Sequence, residues 1–284
     1  MADSVFWFEV GLIAMSVAVG VLGAILGLGG GVLLVPSLTL LFGINIRYAI
    51  GASIVSVIAT SSGAAASYVK DQLTNLRLAT FLNVATVLGA LAGALLTSLL
   101  DTRWLFVIFG VLLIQSALLM IRQPDPSLQA AQAEEPWTRR LRLAGSYPDR
   151  VLGRVVAYAP RRVWLGFALM WVAGVLSALL GIGSGSLNVL AMGSAMRLPI
   201  KVSAASSNFM IGVTAAASAG AFFARGDILP ELAAPVALGV LAGAWMGTWL
   251  MVRMPNQRIR YAFVAVLLVI GVQMGLRGLG IQVR

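Results

Sequence analysis

The sequence predicts an all-α integral membrane protein with two inverted-topology repeats, each of about five transmembrane or half-membrane helices, some of them broken by glycine. Three observations predict this class. Of the 284 residues, 60% are apolar and 11% are charged, against about 25% charged residues in soluble domains. Uncharged stretches such as 10–46 far exceed the roughly 20 apolar residues that one spanning helix needs. A glycine pattern also recurs on both sides of a hydrophilic segment.

The residue types that are missing exclude several function classes. The chain has no Cys and no His, which excludes disulfides, haem ligation, His-bound metals and catalytic triads, so we expect no cofactor, no metal and no enzyme activity. The net charge of +10 would suit nucleic acid, but the basic residues lie in gaps between apolar runs without interleaved aromatics. They are therefore expected to set membrane topology, with no nucleic acid as a partner.

Apolar runs between charges and Gly or Pro predict ten helices. They lie near 6–26, 32–42, 48–69, 78–100 and 104–121, and, in the second half, near 163–180, 186–196, 202–224, 232–252 and 260–276. Segments 32–42 and 186–196 are each about 16 Å long as helices, half a bilayer, so they either cross or meet their neighbours near the midplane. Between the halves, 122–162 contains five Pro and eight Arg. We therefore predict a first repeat over 1–121, a cytoplasmic hydrophilic linker over 122–162 and a second repeat over 163–284.

The two halves match each other at a shift of 154 positions. Nine of forty positions are identical between 27–66 and 181–220, and they include three glycines, a serine and a threonine. At the same shift, Gly89 and Gly93 fall on Gly243 and Gly247, which have the GxxxG spacing of helix packing. The common order of glycines and hydroxyls indicates a duplicated unit.

Charge counting predicts how the repeats lie in the membrane. If all ten segments cross, fifteen of the twenty Lys and Arg residues lie on the linker side; if the two short segments turn back without crossing, the tally is thirteen to seven. The positive-inside rule favours the first arrangement, with a cytoplasmic linker and both termini outside. Five crossings per repeat is an odd number, which would make the repeats inverted.

Two glycine-rich runs, GLGGGVLLVP at 27–36 and GIGSGSLNVL at 181–190, are each followed by a hydroxyl-bearing segment, at 51–63 and 205–220. Together these motifs resemble the TauE/SafE sulfite exporter family over nearly the whole chain. The resemblance implies a multi-pass permease for small anions, typically sulfur oxyanions or organosulfonates, in the cytoplasmic membrane of a prokaryote. The second half departs from the pattern at Ser184 and Leu190, which replace a Gly and a Pro.

The glycine runs are the predicted anion site. A helix that begins after such a break presents free N–H groups and the positive end of its dipole, and the missing Cβ lets a ligand approach the backbone. The alternative is that the glycines only allow close helix packing. The candidate residues are three consecutive glycines in the first half and their counterparts in the second: Gly29, Gly30, Gly31, Gly183, Ser184 and Gly185.

Polar side chains on the following helices complete the candidate site. Ser53 and Thr60 lie on one helical face, and Ser207 and Thr214 repeat that spacing. Their hydroxyls could bind a sulfonate, or they could bond to their own helix or a neighbouring one. Asn208 is costly to leave facing lipid, so it binds either the anion or another helix.

The acidic residues all fall in predicted loops or at segment ends, so no relay of buried carboxylates is expected within the membrane. This disfavours cation transport and coupling through an intramembrane acid. We therefore expect a permease that moves a small sulfur-containing anion by alternating access, with membrane lipid as a second partner and a homodimer compatible with the sequence. The alternatives are an anion channel and a non-transporting accessory or scaffold subunit.

The topology can be tested by labelling single cysteines in a chain that naturally has none. Cys introduced at Gln129 or Gln257 should be protected from an impermeant maleimide outside intact cells, because both positions are predicted to be cytoplasmic. Cys at Gln282 should react. Labelling at Gln257 together with protection at Gln282 would contradict the predicted orientation of the second half.

Overall fold

The computed structural model describes residues 2–26, 29–96, scattered positions between 107 and 121, 135–149, 152–180, 184–224 and 226–280. The first half contains α1 (Ala2–Leu26), α2 (Gly31–Leu41), α3 (Ile46–Lys70) and α4 (Leu76–Leu96). The linker contains α5 (Pro136–Arg140), β1 (Gly145–Asp149) and β2 (Arg154–Tyr158). The second half contains α6 (Val163–Leu180), α7 (Gly185–Leu190) with a π-helical turn (Ala191–Ala195), α8 (Ile200–Ala224), α9 (Pro230–Arg253) and α10 (Asn256–Gly278). The helix predicted at 104–121 lies mostly outside the described residues.

The all-α membrane class is confirmed. Among the described residues, six helices are long and apolar enough to cross a bilayer, namely Trp7–Leu26, Tyr48–Lys70, Leu76–Gly93, Ile200–Ala224, Pro230–Arg253 and Gln257–Gly278. Proline marks the start of two of them, because its fixed φ suits the first helical turn and its missing N–H is not needed there. Pro230 is the first residue of α9, and Pro255 immediately precedes α10.

The two short helices return toward the side on which the preceding helix begins. In the first half, the ring of Phe42, just after α2, packs on Phe8 near the start of α1, with 5.4 Å between ring centroids. In the second half, Met196 lies against Gly166 near the start of α6, and its carbonyl accepts a hydrogen bond of 3.0 Å from the N–H of Arg161. Each short helix therefore forms a hairpin with its predecessor.

Glycines join the halves by reciprocal contacts between the first helix of one half and the fourth helix of the other. A Cβ at Gly243 of α9 would overlap the carbonyl of Val17 in α1. A Cβ at Gly89 of α4 would likewise overlap the carbonyl of Trp171 in α6. The 154-position shift relates the two contacts, because Gly89 corresponds to Gly243 and Val17 corresponds to Trp171. These glycines serve close packing, as their spacing predicts, and the correspondence supports an internal repeat.

The third helices, α3 and α8, cross at the centre of the molecule. Ile54 and Val57 of α3 form a small buried apolar cluster with Ile211 and Ala215 of α8. Further along α3, Ser61 donates a hydrogen bond to the carbonyl of Asn208. Residue numbers therefore increase along α3 in the direction in which they decrease along α8, so the two helices are antiparallel. Val57 and Ile211 are themselves separated by 154 positions and lie at the middle of the crossing.

The linker is folded where it is described and packs on one end of the bundle. Strands β1 and β2 form an antiparallel hairpin that pairs Gly145 with Tyr158 and Asp149 with Arg154. The Nδ2 of Asn75, in the loop between α3 and α4, donates to the carbonyl of Leu143 at 2.8 Å. The loop before α8 is joined to the linker by the Arg161 bond described above. These loops therefore share the linker's end of the bundle.

The packing glycines predict a stability test. Gly247→Ala should lower the melting temperature in detergent, because the added methyl would meet the Val21 carbonyl oxygen at 2.5 Å and the Ala24 Cβ at 3.0 Å. Such overpacking costs about 1–3 kcal/mol. Gly220→Ala in α8 is the matched control, since no atom lies within 4 Å of its Cβ position. Equal melting temperatures for the two variants would contradict glycine-mediated packing of α1 on α9.

Candidate functional site

The break between α1 and α2 lies beside the middle of the α3–α8 crossing. Gly29 and Gly30 have φ values of +67° and +76°, a left-handed conformation that residues with a Cβ rarely adopt. A Cβ at Gly29 would lie 2.9 Å from Cδ1 of Ile211 and 3.4 Å from Cγ1 of Val57. The backbone conformation therefore favours glycine at position 29, and a Cβ there would also displace the end of the Ile211 side chain.

The end of α1 at this break is capped from two other helices. A helix that ends inside a membrane leaves carbonyl groups without helical donors, and these groups must find partners. The carbonyl of Ala24, in the last turn of α1, accepts hydrogen bonds from the Tyr68 hydroxyl of α3 at 3.0 Å and from Nδ2 of Asn208 of α8 at 2.9 Å. Asn208 therefore binds another helix, and its buried Oδ1 has no hydrogen-bond partner.

The start of α2 leaves donors at the same depth. The N–H groups of Leu33 and Leu34 both bond to the Gly30 carbonyl, at 3.0 and 2.9 Å, as the first closed turn of the helix. The preceding N–H groups, at Gly31 and Val32, have no helical acceptor because they open the helix. The positive end of the α2 dipole thus lies at mid-depth, next to Val57.

The second half has its break between α6 and α7. Residues 181–183, which include the predicted site residue Gly183, lie outside the described residues. Ser184 is buried just before α7, and its hydroxyl accepts a hydrogen bond of 3.0 Å from Nδ2 of Asn188. The buried Oδ1 of Asn188 has no hydrogen-bond partner.

Ser53 and Ser207 contact the two short helices in equivalent ways. The Ser53 hydroxyl donates to the Gly31 carbonyl at 3.4 Å, and the Ser207 hydroxyl donates to the Gly185 carbonyl at 3.2 Å. These bonds are related by the 154-position shift. Each serine thereby holds the first residue of a half-helix against the third helix of its own half.

The structure separates the candidate hydroxyls into two groups. Because α3 and α8 are antiparallel, Thr60 and Ser207 lie on the linker side of the crossing, whereas Ser53 and Thr214 lie on the opposite side. Ser53 is eight residues from Ser61, about 12 Å along α3. Ser61 contacts the residue next to Ser207. One small anion therefore cannot touch both Ser53 and Ser207 in this conformation.

The two threonine hydroxyls bond to carbonyl groups of their own helices, which was the alternative to anion binding. Thr60 donates to the Ser56 carbonyl at 2.7 Å, and Thr214 donates to the Met210 carbonyl at 3.1 Å. Thr214 also lies 3.3 Å from Oδ1 of Asn83 in α4. Sequence reasoning missed Asn83 and Asn188, although the cost of an amide in hydrocarbon, which singled out Asn208, applies equally to them.

One carboxylate of the linker, Asp149, is buried. Its Oδ1 lies 3.1 Å from Nζ of Lys201, and both side chains are 2% exposed. Asp149 lies in a proline-rich segment that carries no apolar pattern, so its burial follows from the hairpin and not from the local sequence. Burial also raises the pKa of the Tyr158 phenol, on β2, above its usual value.

A groove of about 680 Å³ opens at the linker end between α1, α3 and α9. Its lining includes Lys70 and Arg253 beside Trp245 and Trp249. The Arg253 guanidinium carbon lies 3.8 Å from the Trp249 ring centroid. Basic residues beside tryptophans are typical of the membrane–water interface, which fits the predicted contact with lipid.

Among the described residues, six helices long enough to span a bilayer and two short helices that fold back on their predecessors indicate a multi-pass membrane protein. Short helices of this kind are typical of transporters. The family model described as "Sulfite exporter TauE/SafE" matches residues 12–274. The chain therefore belongs to the TauE/SafE family, and it is a membrane transporter and not an enzyme.

Two curated relatives from Bacillus subtilis (strain 168) are similar to the chain over most of its length. The "Probable membrane transporter protein YunE" is 26% identical over 276 residues, which cover 94% of this chain and 97% of the relative. The "Probable membrane transporter protein YdhB" is 24% identical over 251 residues, which cover 88% and 94%. No solved structure matches the chain.

The double cap on Ala24 predicts a non-additive loss of stability. Tyr68→Phe or Asn208→Leu alone should each cost about 0.5–1.5 kcal/mol, since one donor remains on the carbonyl. The double variant should cost about 1–3 kcal/mol more than the sum, because the buried carbonyl then has neither donor. Thermal unfolding in detergent measures this cycle, with Tyr261→Phe on the exposed face of α10 as the control. Simple additivity would show that the two bonds do not support the same break.

Proposed function

We propose that this protein is a permease that carries a small sulfur-containing anion, of the sulfite, thiosulfate or organosulfonate class, across the cytoplasmic membrane of a prokaryote by alternating access. The observation that carries the proposal is the pair of half-helices that begin at Gly31 and Gly185 beside the α3–α8 crossing. The sulfur class is favoured by the family description of a sulfite exporter.

The chemistry around the crossing favours an anion. Two helix N-termini supply N–H groups and partial positive charge at a depth where water is scarce. The buried side chains around them are serine, threonine and asparagine, which are neutral and include hydrogen-bond donors. Among the described residues of α1, α2, α3, α4, α7 and α8, no acidic side chain lies near the breaks to attract a cation. A small oxyanion therefore complements this region better than a metal cation does.

The separated hydroxyl groups favour two successive half-sites over one. The linker-side group comprises Thr60, Ser207 and Asn208, and the opposite group comprises Ser53 and Thr214. Backbone N–H groups of 29–31 and 184–185 lie between them and would serve both groups. An anion could move from one group to the other past the glycine breaks as the bundle changes conformation.

The packing suggests which parts move. Reciprocal contacts join α1 to α9 and α6 to α4, so each helix pair combines elements of both halves. The two pairs are linked through the central interface of α3 and α8, where Gly212 lies against Ser61. Rocking at this interface would open each side in turn, as inverted repeats do in other transporters. The inverted repeat itself stays a prediction.

The glycine break can be tested by flux in proteoliposomes. Gly30→Ala should abolish uptake of radiolabelled sulfite or thiosulfate, because a methyl at φ +76° strains the turn before α2 and lies 3.8 Å from Oγ1 of Thr60. Gly43→Ala is the matched control, since Gly43 has φ +66° but no atom within 4 Å of its Cβ position. The control should lose similar stability and keep its flux.

The same assay separates the competing functions. No flux of any tested anion by the folded wild-type protein would favour an accessory or scaffold role. Flux that does not saturate with concentration would favour a channel. Normal saturable flux in Gly30→Ala would remove the glycine break from the substrate path.

A further inference from the structure

The buried ion pair between Asp149 and Lys201 joins the linker to the transport helices. Lys201 is the second residue of α8, and Asp149 is the last residue of β1. The Nζ–Oδ1 distance is 3.1 Å, and Oδ2 of Asp149 accepts a hydrogen bond of 3.2 Å from the Tyr147 hydroxyl. The charges are almost fully removed from solvent, at 2% exposure each. The linker hairpin thus places the carboxylate of Asp149 beside the buried ammonium group of Lys201 at the linker end of the bundle.

The position of Lys201 relates it to the candidate substrate path. It precedes Ser207 by six residues on α8, about 9 Å along the helix, and Ser207 contacts the first residue of α7. The first turn of α8 also presents N–H groups and the positive end of the helix dipole. Ser203 lies between Lys201 and Ser207 on α8, and its buried hydroxyl has no hydrogen-bond partner.

The repeat places a second basic residue at the equivalent position of the other half. Arg47 is the second residue of α3, and the 154-position shift superposes it on Lys201. Arg47 precedes Ser53 by the same six residues. A basic residue therefore starts each third helix, at opposite ends of the bundle, at the same spacing from the serine that contacts a half-helix.

Other contacts besides the ion pair hold the hairpin in place. Tyr147 is fully buried in the main apolar core, and Asn75 bonds to the linker backbone at Leu143. Asp149 also has a local role, since its Oδ1 accepts a hydrogen bond of 3.3 Å from the N–H of Leu152. Exchange of a buried ion pair for apolar residues of similar size is often neutral, whereas removal of one partner alone is costly. The linker therefore has apolar and backbone contacts with the bundle in addition to the charge pair.

We propose that Lys201 is an oxyanion-binding residue at the linker-side entrance, and that Asp149 is a tethered competitor that occupies it when no anion is bound. This inference rests on the proposed anion transport. The carboxylate presents a negatively charged oxygen to the ammonium as a sulfite or sulfate oxygen would. An incoming oxyanion displaces Asp149, pairs with Lys201 and passes toward Ser207. The linker thereby sets the affinity for anions at this entrance.

Removal of the competitor should strengthen anion binding. Asp149→Asn keeps the shape of the side chain and removes its charge. If Lys201 is free of Asp149 for about a tenth of the time or less in the wild type, this variant should bind about tenfold tighter or more. The measurement is the rise in melting temperature of purified protein with sodium sulfite or sodium sulfate, compared with sodium chloride at equal ionic strength. The half-saturating anion concentration should fall about tenfold or more.

Two controls separate this effect from general electrostatics. Glu135→Gln removes one negative charge from the linker at a partly exposed pair with Arg161, and should leave the half-saturating concentration at the wild-type value. Asp149→Asn combined with Lys201→Met removes both charges and should lose the gain. If Asp149→Asn does not fold, the double variant is compared with the wild type in the flux assay. The proposal then requires the half-saturating anion concentration of the double variant to be higher than that of the wild type.

The possible outcomes either support or overturn the proposal. Equal anion dependence in wild type, Asp149→Asn and the double variant would assign the pair to structure alone. A gain in Asp149→Asn that survives Lys201→Met would place the anion elsewhere. Absence of wild-type flux would contradict the proposed function, yet the melting experiment on Asp149→Asn would still test whether Lys201 binds an oxyanion. Failure of the two proposals is therefore distinguishable.

Discussion

The hydrogen bonding of backbone groups inside a membrane is the constraint on which this structure depends. Where α1 stops, its carbonyl groups need donors, and where α2 starts, its N–H groups need acceptors. The protein satisfies the first need with side chains from two other helices, Tyr68 and Asn208, which converge on Ala24. The first N–H groups of α2 have no helical acceptor, and they form an electropositive region at mid-depth. The capped carbonyl end stabilises the break, and the open N–H end is the feature on which the proposed anion site depends.

Charge and polarity are graded along the third helix of the second half, because full charges are costly at mid-depth. Neutral amides and hydroxyls surround the breaks, whereas the buried cation Lys201 lies at the linker end of α8, together with its carboxylate partner. Under the proposed function, this arrangement would attract an anion at the entrance without holding it strongly in the middle. A transporter needs that balance, since a site that binds too tightly does not release its substrate.

Exchange of helices between the halves explains how two weakly similar repeats form one bundle. The first helix of each half packs on the fourth helix of the other through glycines, and the third helices meet each other at the centre. Small residues allow backbones to approach closely where the hydrophobic effect gives no driving force between helices. The repeated contacts follow the 154-position shift, so the same packing solution is used twice.

The sequence by itself determined the membrane class, most helix positions and the two glycine breaks, because apolar length and glycine spacing are local properties. It also singled out Ser53 and Ser207, whose equivalent spacing reflects equivalent contacts with Gly31 and Gly185. Only the tertiary structure decided that these serines lie on opposite sides of the crossing, since that depends on α3 and α8 being antiparallel. Likewise, Asp149 reads locally as a residue of a polar linker, and it is buried because a hairpin folds back onto Lys201. Long-range pairings of this kind leave no periodic signal in the chain, so they appear only when the helices are assembled.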